Sequence, residues 1–158
     1  MPRGPLALGR FVTFFVAGRP RSTQTGSVIR VQGRAIPLRR GTAWSAVCGL
    51  VARQHAPSPL LIGPVRVVLL FVLPRPKRRK EHYVTTRPDV ENLCKGLLDS
   101  WNGVLWQDDA HVAELSLTKV YEDDRLSPGV LVTAQELRHG GTPIEDAAPS
   151  ATRTDENL

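Results

Sequence analysis

The chain has 158 residues, and its 21 Lys and Arg residues outnumber 15 Asp and Glu residues, which gives a formal net charge of +6. No apolar run reaches the roughly 18 residues that a membrane-spanning helix requires. Two cysteines, Cys48 and Cys94, form neither a CxxC motif nor a disulfide framework. The length favours one domain with one hydrophobic core. We therefore expect a cytoplasmic protein in a reducing compartment, without a membrane span.

The charge is divided along the chain. Residues 1–88 contain 16 of the Lys and Arg residues and a single acid, Glu81, whereas residues 89–158 contain 14 acids and five bases. A basic segment attracts polyanions, so this division predicts a polyanion partner and a separate place where carboxylates act. Zinc is not expected, because the four histidines (His55, His82, His111 and His139) are scattered without ligand spacing.

The predicted elements alternate between β-rich and helical patterns. In chain order they are a strand at Phe11–Val16, a hairpin from Val28 to Leu38 that turns at Gln32-Gly33, a helix from Thr42 to about His55, a strand buried on both faces at Val65–Leu73, a helix at Val90–Trp101, and strands at Val112–Tyr121 and Gly129–Leu137. This order predicts an α/β fold in which two main helices pack on a mixed β-sheet in a single compact domain. We expect a flexible N-terminus over residues 1–10, the domain over 11–137 and a disordered tail over 138–158, because the tail is poor in bulky apolar groups.

The densest basic run lies in the loop that follows the Val65–Leu73 strand. It comprises Lys77, Arg78, Arg79 and Lys80, and Arg87 follows shortly before the next helix. One interpretation is a solubilising loop. The other is a DNA contact, in which Lys and Arg bind phosphates and provide affinity without reading sequence.

The acidic half begins with a patterned helix start. Asp89 stands at the N-cap, Glu91 lies in the first turn, Lys95 follows one turn later, and the pair Asp108-Asp109 precedes the next strand. A purely structural interpretation is available, because an N-cap contributes about 1 kcal/mol and Glu91–Lys95 and Lys95–Asp99 have the spacing of ordinary i,i+4 pairs. The alternative is a hard-cation site, since Mg²⁺ binds carboxylate oxygens together with waters and substrate phosphates.

A close resemblance to the RusA-type Holliday junction resolvases (crossover junction endodeoxyribonucleases) covers residues 87–121, which read RPDVENLCKGLLDSWNGVLWQDDAHVAELSLTKVY. The signature of that family is a Pro-Asp-x-Asp-Asn-Leu-x-Lys helix start, then a Gly-containing turn and an Asp-Asp pair before an alternating strand. By this resemblance Asp89, Glu91 and Asp109 match magnesium-binding carboxylates, and Lys95 matches a catalytic lysine. Glu91 stands where Asp is usual, so its longer side chain must reach the same ion with a different rotamer.

The resemblance implies a Mg²⁺-dependent endodeoxyribonuclease that acts as a homodimer and resolves branched DNA, the four-way junction, by paired nicks. No phosphate-binding GxxxxGK[ST] loop is present, so a nucleotide cofactor is not expected. Two alternatives stay open. One is a non-catalytic basic DNA-binding protein whose carboxylates are caps and ion pairs, and the other is a related nuclease that cuts flaps or single strands.

Overall fold

The computed structural model describes residues 8–22, 26–39 and 42–138. The elements of these residues, in chain order, are β1 (Leu8–Ala17), β2 (Gly26–Val31), β3 (Arg34–Arg39), α1 (Thr42–Gln54), β4 (Val65–Leu73), α2 (Val90–Cys94), α3 (Leu97–Trp101), a 3-10 turn (Asp109–His111), β5 (Val112–Tyr121) and β6 (Gly129–Leu137). The predicted disordered tail lies outside the described residues from position 139 onward. No helix within these three ranges is long and apolar enough to cross a membrane.

Four strands form one mixed sheet in the order β1-β6-β4-β5. Strands β4 and β5 run parallel, and the other neighbouring pairs are antiparallel. A parallel pair needs a crossover connection, and residues 74–111 supply it with α2, α3 and the 3-10 turn. This arrangement confirms the predicted α/β fold. Strands β2 and β3 form a separate hairpin around Gln32 and Gly33, whose φ angles of 50° and 78° close the predicted turn.

Strand β4 is central, but it is not buried on both faces as predicted. Val67 and Leu69 on one face have no exposed surface, whereas Val68 on the other face remains 38% exposed. The helices cover only the first face, where residues of α1 and α3 join the hydrophobic core. The opposite face is left open, and its exposed apolar side chains are Phe11, Phe15, Val68 and Leu131.

The predicted single helix at Val90–Trp101 is wrong, because two short helices replace it. Helix α2 ends at Cys94, Lys95 adopts an extended backbone (φ −55°, ψ 132°), and Gly96 has a φ of 82°. Glycine enters this left-handed region without the steric penalty of a Cβ atom, which is why helices commonly end at such a residue. The apolar periodicity continues across the break, so both halves still bury Leu93 and Leu97.

The N-terminal boundary also differs from the prediction. Strand β1 begins at Leu8, so Leu8–Arg10 belong to the sheet and not to a flexible N-terminus; residues 1–7 lie outside the described part of the chain. The cause is pairing with β6: Leu8 lies opposite Leu137, and the Arg10 guanidinium forms an ion pair with Glu136 at 2.6 Å.

The tryptophan side chains Trp44 of α1 and Trp101 of α3 are buried in the core. The buried Trp101 indole donates from Nε1 to the Cys48 carbonyl at 3.3 Å and so connects α3 to α1. Its ring meets the edge of the Trp106 ring at a centroid distance of 6.1 Å. These contacts give the crossover a rigid support.

Candidate active site

The start of α2 is held against strand β5 by one lysine. The Lys119 ammonium donates to the Thr86 carbonyl at 2.6 Å and to the Pro88 carbonyl at 2.8 Å. These two bonds fix the segment that leads into Asp89. Lys119 is therefore a positioning residue for the helix start, and sequence reasoning missed it because a lone lysine in an alternating strand is usually a solvated side chain.

The Asp89 carboxylate does not cap the helix. Asp89 occupies the N-cap position, yet its side chain makes no capping hydrogen bond. Its Oδ2 accepts from Asn92 Nδ2 at 3.4 Å, and Asn92 Oδ1 accepts from Lys95 Nζ at the same distance. The interpretation of Asp89 as an ordinary N-cap requires a hydrogen bond from its side chain to the first turn of the helix, and that bond is not formed. Asp89, Asn92 and Lys95 form a polar row along α2.

The turn before the acidic pair is anchored in the core. Trp106 Nε1 donates to Asn102 Oδ1 at 2.9 Å, and the Gly103 amide donates to the Trp106 carbonyl at 2.7 Å. Trp106 is fully buried and lies just before the Asp-Asp pair in the chain. The buried Trp106 and its hydrogen bonds therefore fix the turn that immediately precedes the acidic pair.

The two acids of that pair make different contacts. Asp108 Oδ1 accepts from the Ala110 amide at 2.8 Å and caps the 3-10 turn. Asp109 lines a cleft with Asp99 of α3. Partial burial, together with the neighbouring carboxylates of Asp108 and Asp99, raises the pKa of Asp109 above its usual range. Asp108 thus caps the 3-10 turn, whereas Asp109 lies in the cleft, in contact with Asp108 and Asp99.

The cleft that contains Asp109 has a volume of about 350 Å³, and we call it the acidic cleft. Strand β5 supplies apolar groups to its wall, and the polar groups come from α2, α3 and the 3-10 turn. Its lining residues are Glu91, Cys94, Lys95, Gly96, Leu98, Asp99, Asp109, Leu115 and Leu117. Three of the predicted catalytic residues, Glu91, Lys95 and Asp109, thus share one cleft.

A second cleft of about 670 Å³ lies beside the start of α2, and we call it the arginine cleft. Asp89 and Asn92 form part of its wall, so Asp89 opens toward a different depression from Glu91 and Asp109. Its lining residues are Arg19, Pro20, Arg21, Ser22, Leu73, Pro74, Pro76, Val84, Thr86, Arg87, Pro88, Asp89, Asn92 and Tyr121. Arg87, predicted to contact DNA, is among them.

As they stand, no three His, Cys, Asp or Glu side chains in the described ranges lie close enough together to enclose a metal ion. The assignment of Asp89, Glu91 and Asp109 as a ligand set therefore stays a prediction. The donor chemistry nevertheless fits Mg²⁺, which keeps several waters and is usually held by one or two carboxylates plus a substrate phosphate. Burial and, after it, the neighbouring charges of Asp108 and Asp99 raise the pKa of Asp109, and a divalent cation at this carboxylate would offset both effects.

The predicted DNA-binding loop is exposed at Lys77, Arg78, Arg79 and Lys80. Arg75 holds its base: the guanidinium donates to the carbonyls of Arg79 and Glu81 and lies 5.4 Å from the centre of the Tyr121 ring. Arg79 also forms an ion pair with Glu81 at 3.3 Å. The loop is thus tethered at Arg75 while its cationic side chains face solvent.

The sequence left Asp99 and the arginines Arg19 and Arg21 as weak candidates, and the structure places them beside the predicted site residues. The sequence offered Asp99 as an i,i+4 partner of Lys95, and the two arginines lie about 70 positions from the acidic motif. Folding brings Asp99 to Asp109 and brings the arginines to Asp89. For Arg19 and Arg21 the only signal in the sequence was their place in an irregular segment without nearby acids, and this signal is weak.

The chain is similar to one known protein family and to one curated protein. The family model described as endodeoxyribonuclease RusA matches residues 17–134, which include both clefts and most of the sheet. The uncharacterized protein YqaN of Bacillus subtilis (strain 168) is 30% identical over 132 residues, a match that covers 76% of this chain and 88% of that protein.

Proposed function

The chain belongs to the RusA endodeoxyribonuclease family, and on this premise we propose that it is a Mg²⁺-dependent endonuclease that resolves four-way DNA junctions. The observation that carries the proposal is the meeting of Glu91, Lys95, Asp99 and Asp109 in the acidic cleft. Carboxylates beside one lysine, next to an arginine-lined cleft, suit the hydrolysis of a phosphodiester in a polyanionic strand.

The carboxylates would hold the metal. Asp109 and Asp99 are in mutual contact, and Glu91 lines the same cleft. When bound there, Mg²⁺ supplies an activated water and stabilises charge on the phosphoryl oxygens. Asp89, which the family resemblance matches to a metal-binding carboxylate, lines the neighbouring arginine cleft and would reach the same ion from that side.

Lys95 supplies a positive charge to the acidic cleft in addition to that of the metal ion. Its ammonium is held toward Asn92 Oδ1 at 3.4 Å, and the helix break at Gly96 lets it line the acidic cleft. A cation placed there neutralises charge that develops on the phosphate and donates a proton to the leaving oxygen. Asn92 orients it, because the same amide also donates to Asp89.

The basic loop would provide general affinity for DNA. Lys77, Arg78 and Lys80 extend from a loop that Arg75 and Glu122 tether, since the Arg75 amide donates to Glu122 Oε1 at 3.0 Å and the Arg75 side chain donates to the Glu122 carbonyl at the same distance. Contacts of this kind go to phosphates and do not read sequence.

A homodimer completes the proposal, because resolution requires nicks on two strands related by a twofold axis. The open face of the sheet fits a second copy of the chain. Phe11 is 66% exposed there, and Phe15 and Leu131 lie opposite each other on neighbouring strands. Two such faces placed together bury apolar surface that a monomer leaves in water. Leu131→Arg therefore yields a monomer in analytical ultracentrifugation, whereas a dimer that persists would move the interface elsewhere.

The experiment is a nicking assay on a synthetic four-way junction, with and without Mg²⁺. Cleavage is expected in Mg²⁺ and is lost in Asp109→Asn and Asp89→Asn. Asp124→Asn is the matched control, since Asp124 is exposed in the β5–β6 connection and lines neither cleft. Cleavage that survives either Asp109→Asn or Asp89→Asn unchanged contradicts the metal assignment. Binding without cleavage under any divalent cation identifies a non-catalytic DNA-binding protein, and preferential cutting of flaps identifies a different substrate.

A further inference from the structure

We propose that the arginine cleft holds one unstacked nucleotide of the DNA strand, next to the phosphodiester that is cut. The inference rests on the proposed function and names the part of the substrate that this cleft receives. The cleft is formed where three stretches of chain meet: the segment after β1, the segment after β4, and the residues that lead into α2.

Three cations converge on this cleft without an ion-pair partner. In the described part of the chain, no carboxylate forms a salt bridge with Arg19, Arg21 or Arg87, whereas three other arginines each pair with a glutamate (Arg10 with Glu136, Arg66 with Glu114, Arg79 with Glu81). Like charges held together repel one another, and a bound anion relieves that repulsion. A phosphate diester is the anion that a DNA-binding protein meets.

Apart from the Asp89 carboxylate, which lies toward the start of α2, the remaining wall is apolar or carries small polar groups. Proline rings at Pro74, Pro76 and Pro88 and the side chain of Val84 present carbon surface to the cleft. A flat base needs such surface once it leaves the stack, while the sugar and phosphate need cations. A groove that bound only the backbone of a duplex would have no use for the apolar part of this wall.

The volume of the cleft is sufficient for one nucleotide. The cleft holds about 670 Å³, within the roughly 300–1,000 Å³ range that is typical of sites for small molecules. Asn92 and Thr86 provide an amide and a hydroxyl that can meet the polar edge of a base. The Tyr121 ring is 4% exposed and has the Arg75 guanidinium over it, so the tyrosine is part of the wall and not an open stacking surface.

The cleft also lies at the correct place relative to the chemistry. Asp89 and Asn92 belong to its wall, and Lys95, which donates to Asn92, belongs to the acidic cleft on the other side of α2. A strand whose nucleotide enters the arginine cleft therefore passes its next phosphate along the row Asp89–Asn92–Lys95. Nucleotides at the exchange point of a junction lack a complete stack, which lowers the cost of unstacking.

The test uses junctions that carry 2-aminopurine, in turn, at each nucleotide flanking the exchange point. Ca²⁺ replaces Mg²⁺ so that bound DNA stays intact, and fluorescence rises when the base leaves the stack. We expect the fluorescence of at least one position to rise on binding of the full-length protein, because a base held in the cleft has left the stack. Arg21→Ala and Thr86→Trp abolish the signal, the first by removing a phosphate contact and the second by filling the cleft. Arg53→Ala is the control, because Arg53 is an exposed arginine of α1 that does not line the cleft.

The outcomes separate this inference from the proposed function. Nicking in Mg²⁺ without brightening at any position overturns the nucleotide site and leaves the endonuclease intact. Brightening without nicking supports the site and overturns the catalytic proposal, and a protein that does not bind the junction overturns both. Brightening that persists in Thr86→Trp also overturns the site. Should Thr86→Trp fail to fold, as judged by its thermal transition, Arg21→Ala at matched DNA occupancy decides.

Discussion

Glu136 is the carboxylate on which the N-terminal edge of the sheet depends. Its Oε1 accepts from Arg10 Nη2 at 2.6 Å and from the Ile62 amide at 3.0 Å, and its Oε2 accepts from the Arg10 amide at 3.3 Å. The Glu136 side chain is only 6% exposed. Burial alone raises the pKa of this carboxyl, but the bonds from Arg10 and Ile62 more than offset it, so the pKa lies below its usual value.

Substitution Glu136→Gln keeps the shape of the side chain and removes its charge. A hydrogen bond to a charged group contributes roughly 1.5–3 kcal/mol, against roughly 0.5–1.5 kcal/mol for a neutral pair. Both carboxylate oxygens of Glu136 accept hydrogen bonds, whereas glutamine has only one such oxygen. The NH₂ group of the glutamine would therefore face one of these donors without forming a hydrogen bond. Because the Arg10 side chain is 36% exposed and partly screened, we expect a decrease of about 2–3 kcal/mol in the free energy of unfolding. For a domain of this size that corresponds to roughly 6–12 °C in Tm.

The assay is urea and thermal unfolding of the wild type and the variant from pH 7 to pH 3. A lowered pKa in the folded state stabilises the fold above the unfolded value of about 4.5, and this stabilisation is lost as the pH falls through the folded pKa. The difference between the two proteins must therefore be largest near neutrality and shrink below pH 4.5. Glu114→Gln is the matched control, since the Arg66–Glu114 pair also joins neighbouring strands but is exposed on both sides, and it should change stability little. A Glu136→Gln difference that is absent at pH 7, or that does not depend on pH, would refute the reasoning.

Three further predictions concern the clefts and the loop. Lys95→Met lowers the single-turnover nicking rate by about 10²–10³, as expected when one preorganised charge at the phosphate is removed, while junction affinity in Ca²⁺ changes little; a proportional decrease in binding would make Lys95 a DNA contact only. Asp99→Asn raises the Mg²⁺ concentration for half-maximal nicking, because the cleft loses one carboxylate. It also moves the acidic limb of the pH profile to lower pH, because the Asp99 charge contributes to the raised pKa of Asp109. Asp124→Asn should change neither quantity. Replacing Lys77, Arg78, Arg79 and Lys80 with Ser weakens junction binding and reduces its salt slope by roughly 0.9 for each phosphate that the loop no longer neutralises; an unchanged slope in fluorescence anisotropy would make the loop a solubilising one.

The elements that the sequence predicted well are those whose signals are local. The hairpin at Gln32 and Gly33 is specified by its turn residues, and β4 by a nine-residue run between prolines in which every residue except Arg66 is apolar. The break at Gly96 was not predictable from periodicity, because Leu93, Leu97 and Trp101 keep a helical spacing across it. The open face of β4 was missed for a related reason: a continuous apolar run looks the same whether a helix, a second copy or water covers its other side.

The candidate site was predictable in its residues and not in its arrangement. The motif from Asp89 to Lys95 and the pair at Asp108-Asp109 are visible in the sequence. Their division between two clefts depends on how the crossover packs against β5, which involves Lys119 and the buried Trp106. Such long-range contacts leave no pattern in a single sequence.

The crossover between the parallel strands has a consequence for how this protein tolerates change. Apart from Arg19 and Arg21, the polar groups assigned to DNA and metal lie within residues 74–111, while the sheet itself supplies the support. In a saturation mutagenesis experiment that measures protein abundance and nicking separately, the effect of a substitution should therefore depend on whether it lies in the sheet or in the crossover. Substitutions in β4 and β6 remove abundance and activity together, whereas many in the crossover remove activity from a protein that still accumulates. The substrate range of this enzyme can then diversify through one continuous segment on a sheet that stays unchanged.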